Sequence, residues 1–232
     1  MLSYDSTVSM NAQAPSTVNM NTANLTMGTD PKPMPATLAP NMASDPSGRV
    51  APKHHHIWLV TGPAGCGKST VAQHLSKELQ LPYIEGDEFH PPANINKMAT
   101  GIPLTDADRW DWLTLLRDES LRQLAAGANG VVVTCSALKR KYRDVIRVAP
   151  YYSHDVLLHF IYLHAPEAVL LERVGMRQGH YMGANMVHSQ FSILEPPTAE
   201  ETDVISVDVS ASMPEVQREA LNQVLQKIDE AA

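Results

Sequence analysis

Beyond residue 55 the chain carries five apolar runs: HIWLVTG (56–62), LPYIEGD (81–87), GVVVTCSA (130–137), LLHFIYLH (157–164) and DVISVDV (203–209). They are short, rich in β-branched and aromatic residues and bounded by turn formers, so each predicts a strand. Between them the apolar residues recur at helical spacing, in TVAQHLSKELQ, in NINKMATG followed by DADRWDWLTLLRDESLRQLAAG, in LKRKYRDVIRVA, in PEAVLLERVG and in MPEVQREALNQVLQKID. Most of these segments begin at Ser, Asp or Pro or end in Gly, where helix caps belong. Alternation of strand and helix predicts a five-stranded parallel sheet covered by helices on both faces. Ligands of such sheets gather beyond the carboxyl ends of the strands, so the residues just after each run are those to read for chemistry.

The pattern is absent from the first fifty or so residues. That stretch is rich in Ser, Thr, Asn, Pro and Met, and Lys32 and Arg49 are its only basic residues. Residues 1–52 therefore read as a disordered tail and 53–232 as the folded domain. The tail has neither the apolar core of a secretory signal nor the several arginines of a transit peptide. No run reaches the length of a membrane span. The net charge of −7 argues against a general nucleic-acid binder, which carries a basic face. Two cysteines, Cys66 and Cys135, make no disulfide framework, and a reducing cytoplasm is the expected compartment. His54 to His56 lead into a strand, where successive side chains alternate sides and do not converge on one ion, so a solvated lead-in is expected there.

The sharpest chemical signal follows the first run. Gly62, Pro63, Ala64, Gly65, Cys66, Gly67, Lys68, Ser69 and Thr70 spell a G-x-x-x-x-G-K-[ST] phosphate-binding loop between a strand and a helix. Backbone N–H groups pointing into such a loop grip a polyphosphate, and Cβ atoms at the closest positions would obstruct it. Lys68 offers a point charge to the β- and γ-phosphates, Ser69 a hydroxyl to Mg²⁺, and the following helix the positive end of its dipole. ATP and Mg²⁺ are thus the expected ligands, in a P-loop NTPase fold. Cys66, near a helix N-terminus and Lys68, stands where a thiol pKa is lowered, but a small buried hydrophobe filling the loop is the more ordinary reading.

Further candidates lie after the other strands. Glu85 and Asp87, two apart, share one side of an extended segment. Asp87 is suited either to act as base toward a substrate hydroxyl or to cap the next helix, and the residue types leave both open. The third run ends in Thr134, Cys135 and Ser136, without the acid that often holds Mg²⁺ through water in P-loop enzymes. Glu85 or Asp87 must supply it, or the ion relies on Ser69 and the phosphates.

Beyond the generic loop, GDEFHPPANINKMATGIPLTDADRWDWL resembles the substrate segment of gluconokinases, and CSALKRKYRD, RQGHYMGANMVHSQFSILEPP and ETDVISVDV resemble later signatures of that family in the same order. The resemblance spans about residues 56–230 and leaves the tail without a counterpart. It implies a kinase of the nucleoside-monophosphate-kinase type that transfers the γ-phosphoryl group of ATP, with Mg²⁺, to the 6-hydroxyl of D-gluconate. The product, 6-phosphogluconate, feeds the pentose phosphate pathway.

On that resemblance Asp87 contacts the substrate hydroxyl, Arg109 takes the carboxylate or the transferring phosphate, and His90, Lys97, Ser136 and Lys139 complete the acceptor site. LLERVGMRQGH resembles the opening of a helical lid, about 173–195, in which Arg173 packs on adenine and Arg177 reaches the phosphates; Gly179 and Gly183 would let it hinge. His188 and Gln190 are weaker lid candidates. Where the family often has a proline, in the form DRxPWL, this chain has Asp111, which touches the helix start but leaves Arg109 and Trp112 in place. Trp110 and Trp112 read as packing residues. Homodimers are common in the family, yet no stretch reads as an interface. The competing readings are a shikimate kinase, which lacks the HP-x-x-NI-x-KM block, and a nucleotide-gated binding module, which would not need Lys68, Ser69 and the lid arginines together.

Overall fold

A computed structural model of the chain describes residues 54–151, 153–176 and 184–231. The tail 1–52 assigned from composition lies outside the described residues, as do Arg177, Gly179 and Gly183 of the lid.

In chain order the elements are β1 (His55–Thr61), α1 (Lys68–Leu79), β2 (Tyr83–Ile84), a 3₁₀ turn (Gly86–Phe89), α2 (Pro92–Ala99), α3 (Trp110–Ala125), β3 (Gly130–Thr134), α4 (Arg140–Arg147), a 3₁₀ turn (Ala149–Tyr151), β4 (Val156–His164), α5 (Glu167–Gly175), α6 (Ala184–Ile193), β5 (Val204–Asp208) and α7 (Met213–Ala231). All five strands are parallel, in the order β2-β3-β1-β4-β5. The three-layer α/β/α expectation is met. Strand β1 is central, and the chain leaves it toward β2 and β3 on one side and β4 and β5 on the other. Its carboxyl end is the switch point where this sheet class binds ligands.

Successive residues of β1 face opposite layers, so one strand seeds two cores. Trp58 and Val60 pack with Val71 and Leu75 of α1, Leu170 and Val174 of α5, Val187 of α6 and Val216, Ala220 and Val224 of α7. Ile57 and Leu59 pack with Trp112, Leu113 and Leu116 of α3 and with Tyr142 and Ile146 of α4. Each such burial contributes about 1.5–3 kcal/mol of transfer free energy. The central strands are buried on both faces, which explains why β1 and β3 read as continuous apolar runs.

Two local expectations change. The run LPYIEGD yields only Tyr83–Ile84 as strand, because the edge strand stops where Gly86 presses on β3. A Cβ at Gly86 would stand 1.9 Å from the Thr134 carbonyl oxygen, so only glycine permits this approach. The lead-in histidines are not simply solvated: His56 is buried, stacks on Trp58, and its Nδ1 lies 3.2 Å from Nε2 of His159 on β4. Helix α3 begins at Trp110 despite the missing proline, with Asp111 in its first turn, where a carboxylate favours the helix dipole. No helix among the described residues is long and apolar enough to cross a membrane.

Candidate active site

The phosphate loop turns from β1 into α1. Gly62 adopts φ +142°, and a Cβ there would lie 2.4 Å from the Leu163 carbonyl oxygen, so the loop is seated directly on the end of β4. Lys68, the first residue of α1, donates from Nζ to the carbonyl oxygens of Gly62 (3.0 Å) and Pro63 (3.1 Å), which holds the ammonium over the mouth of the loop. Ser69 and Thr70 follow, exposed on the first turn. A glycine-built cradle at a helix N-terminus with a lysine across it is donor chemistry matched to a polyphosphate.

Cys66 does not fit the activated-thiolate reading. Its side chain is fully buried in the core under the loop, and burial pushes its pKa up despite nearby Lys68. It is a small hydrophobe filling space. Burial also pushes Cys135 up, to about 12.

A cleft opens beside the loop, lined by Lys68, Asp87, His90, Arg109, Ser136 and Gln190 over apolar walls. Asp87 lies in the 3₁₀ turn after β2, makes no side-chain cap and lines the cleft. Burial, and next to it the neighbouring Glu85, raises its pKa, while Lys68 opposes them. The Asp87 side chain nevertheless remains 52% exposed, which keeps the carboxylate reachable from the cleft. His90 stacks on Trp112 with ring centroids 4.0 Å apart, and burial together with the nearby Arg109 lowers its pKa to about 4. It is a neutral hydrogen-bonding group at neutral pH. Trp112 is fixed in turn by an indole N–H donated to the Gly86 carbonyl at 2.8 Å.

Arg109 is buried at the start of α3. Its Nη1 donates to the carbonyls of Leu104 and Thr105, and its guanidinium lies over the Tyr142 ring. A guanidinium so fixed is suited to a carboxylate or phosphate. Ser136 is brought in by an unusual turn: Ala137, the next residue, has φ +34°, a conformation that costs a non-glycine residue about 1–2 kcal/mol. Arg143 stabilises it. From full burial it donates to the carbonyls of Ala137 (3.2 Å) and Glu195 (3.1 Å) and forms a bidentate pair with Glu201, both contacts at 2.7 Å. Glu195 follows α6, so one side chain ties the root of the lid segment to the loop that carries Ser136.

The structure does not bring Lys97 and Lys139 into the lining of the cleft. Lys97 pairs with Asp108 at 2.6 Å, and Lys139 pairs with Asp106 at 2.9 Å. Both aspartates belong to the IPLTDADR segment that also delivers Arg109. Hydrogen bonds from Lys141, Tyr142 and Lys139 hold the Asp106 carboxyl, and those from Lys97 and Thr105 the Asp108 carboxyl, well below the usual carboxylate range. Arg173 donates to the Val209 carbonyl at 2.6 Å, beside the loop that joins β5 to α7. Arg177 lies outside the described residues.

Two residues gain weight. Glu85 accepts from the Thr134 and Tyr83 hydroxyls. Burial raises its pKa, but hydrogen bonds from Thr134, Tyr83 and Ser69 overcome this and leave it lowered, so it stays ionised next to Ser69. Gln190 of α6 is buried, lines the cleft and accepts the Ala64 amide proton at 2.7 Å. The sequence offered Gln190 only as a weaker lid candidate, alongside His188. His188, by contrast, is exposed and pairs with Glu167 at 3.0 Å.

A family model described as an AAA domain matches residues 57–193. The probable gluconokinase of Schizosaccharomyces pombe is 44% identical over 178 residues, covering 76% of this chain and 92% of that protein. The chain belongs to the gluconokinase family. The thermoresistant gluconokinase of Escherichia coli is 40% identical over 155 residues, covering 67% of this chain and 85% of that protein. Among solved structures, a gluconokinase from Sinorhizobium meliloti superposes with a TM-score of 0.65 at 39% identity, over 78% of this chain and 97% of that one. The gluconokinase resemblance carried by the GDEFHPPANINKM and DADRWDWL blocks is thereby established, and those blocks contribute Asp87, His90 and Arg109 to the cleft.

Proposed function

We infer that this protein is an ATP:D-gluconate 6-phosphotransferase, forming 6-phospho-D-gluconate and ADP. The observation that carries the reading, together with family membership, is that the phosphate-loop lysine and the acceptor-side groups Asp87, His90 and Arg109 line a single cleft. Donor and acceptor therefore meet across Lys68.

The loop amides and Lys68 hold the β- and γ-phosphates, and Arg173, beside the β5–α7 loop, serves the adenine side. Ser69, with the ionised Glu85 behind it, has the donor chemistry for Mg²⁺ at the switch point. Bound there, the ion neutralises charge on the phosphates. Asp87 orients the attacking hydroxyl and receives its proton. His90, neutral, donates to or accepts from a sugar hydroxyl, and Arg109 takes the carboxylate. A loose phosphoryl-transfer transition state asks for little deprotonation beforehand, so positioning by these residues and charge stabilisation by Lys68 carry most of the acceleration. Lys97 and Lys139 act at one remove: by pairing with Asp108 and Asp106 they hold the segment that presents Arg109. We place the enzyme in the cytoplasm, where two buried thiols stay reduced.

A coupled ADP-release assay with gluconate, other sugar acids, shikimate and nucleoside monophosphates tests the reading. Turnover is expected with gluconate and should disappear in Lys68→Ala without change in circular dichroism. Turnover with shikimate or a nucleotide in preference to gluconate would overturn it.

A further inference from the structure

We propose that Gln190 is a substrate-binding residue that joins the two halves of the reaction: its Oε1 holds the phosphate loop while its Nε2 donates to a hydroxyl oxygen of the acceptor sugar acid. The orientation of the carboxamide follows from its partner. The Ala64 amide is a donor, so the atom 2.7 Å from it must be the oxygen, and the NH₂ group lies at the other end of the carboxamide. The residue is only 8% exposed, and what remains accessible opens into the cleft shared with Lys68, Asp87 and Arg109. Among the described residues Nε2 has no acceptor, so the NH₂ group is open to the cleft and free to donate to a ligand there. A polyol bound between Asp87 and Arg109 supplies such acceptors.

A hydroxyl suits Nε2 better than the carboxylate does. Arg109 is the fixed cation of the acceptor side, whereas a carboxamide is neutral and matches a neutral hydroxyl. Gln190 also sits against the phosphate loop, so it faces the hydroxyl-bearing end that receives the phosphoryl group. The seat of α6 does not depend on this side chain, because Met186 and Val187 are buried and Val187 belongs to the core with Leu170 and Val174.

The inference rests on the gluconate reading, and its test separates the two. Gln190→Met removes both hydrogen bonds at nearly constant volume; Gln190→Glu keeps an oxygen for Ala64 but loses the NH₂ group. Both are compared with wild type on gluconate and on each mono-deoxy gluconate that retains the terminal hydroxyl. The KM for gluconate is expected to rise by about threefold to tenfold in Gln190→Met. With one deoxy analogue, the one lacking the hydroxyl that Nε2 contacts, the ratio of variant to wild-type kcat/KM should return to near one. An equal penalty on every analogue, or none on gluconate, would overturn the role of Gln190 while wild-type turnover of gluconate upholds the function. A wild-type enzyme without gluconate turnover would overturn both.

Discussion

The hydroxyl of Thr134, at the end of β3, donates to the carboxylate of Glu85, just past the end of β2. Strand β3 carries no acid of its own at this end, and the contact brings one across from its neighbour, next to the Ser69 hydroxyl of the phosphate loop. An acid is thus held at this end of the sheet by Thr134 on the neighbouring strand.

Glu85→Gln should therefore lower kcat and raise the Mg²⁺ concentration needed for half-maximal rate, each by about tenfold to hundredfold, as loss of an outer-shell metal partner does. A Mg²⁺ titration of both enzymes at saturating gluconate checks it. An unchanged Mg²⁺ dependence would remove Glu85 from the metal site.

Asp87→Asn should cut kcat by about 10² or more, as loss of a general base or orienting carboxylate does, while ATP binding by calorimetry persists. The wild-type rate should fall on acidification as the Asp87 carboxylate, its pKa raised by burial, is protonated. The acid limb of the pH–rate profile should be missing from Asp87→Asn. Retention of that limb would assign it to another group.

Arg143→Met leaves the buried Glu201 with Arg147, at 2.6 Å, as its remaining cationic partner and releases the Ala137 turn. Unfolding by urea should show a loss of about 3 kcal/mol, the range for breaking a buried pair. The double variant Arg143→Met/Glu201→Leu should recover much of the stability but not the rate, because neither substitution restores the hydrogen bond to the Ala137 carbonyl. Full recovery of kcat would show that the turn holds itself.

His159 and His90 each have a folded pKa of about 4, lowered mainly by burial from an ordinary value of 6.5. The unfolded chain binds protons that the folded chain refuses between these values, so stability is complete above pH 6.5 and falls as pH drops toward 4. For His159 this amounts to at most about 2 kcal/mol once partial solvent screening is allowed for. His159→Phe retains an aromatic ring against Trp58 and cannot titrate. The drop in thermal midpoint between pH 6.5 and 4.5 should be smaller in that variant. An identical drop would remove His159 as a contributor.

Neither Cys66 nor Cys135 should react with a thiol reagent in the native protein, because both are buried and burial raises both pKa values. Ellman titration should give two thiols only after denaturation. Rapid native labelling of Cys66 that MgATP prevents would restore the activated-thiolate reading.

Local pattern was enough for the element order, the parallel sheet and the phosphate loop. Strand and helix periods, caps and the glycine spacing of residues 62–67 are properties of neighbouring residues, and their chemistry is the same wherever the domain folds. The acceptor segment was legible for a similar reason: Asp87, His90 and Arg109 sit at strand or helix ends within recognisable blocks, and the structure gathers all three. Other assignments depended on residues far apart in sequence. Lys97 and Lys139 look like ligands for an anion until Asp108 and Asp106 approach them, and a cation's availability is settled by whichever carboxylate reaches it first. Glu85 is favoured over Asp87 for the metal side only by its contact with Thr134, 49 residues away, and Gln190, a weaker lid candidate in the sequence, is tied to the phosphate loop only by the amide of Ala64, 126 residues away. Cys66 has the same neighbours along the chain in either reading. Burial under the loop, a property of the packed core alone, decided that its thiol is inert.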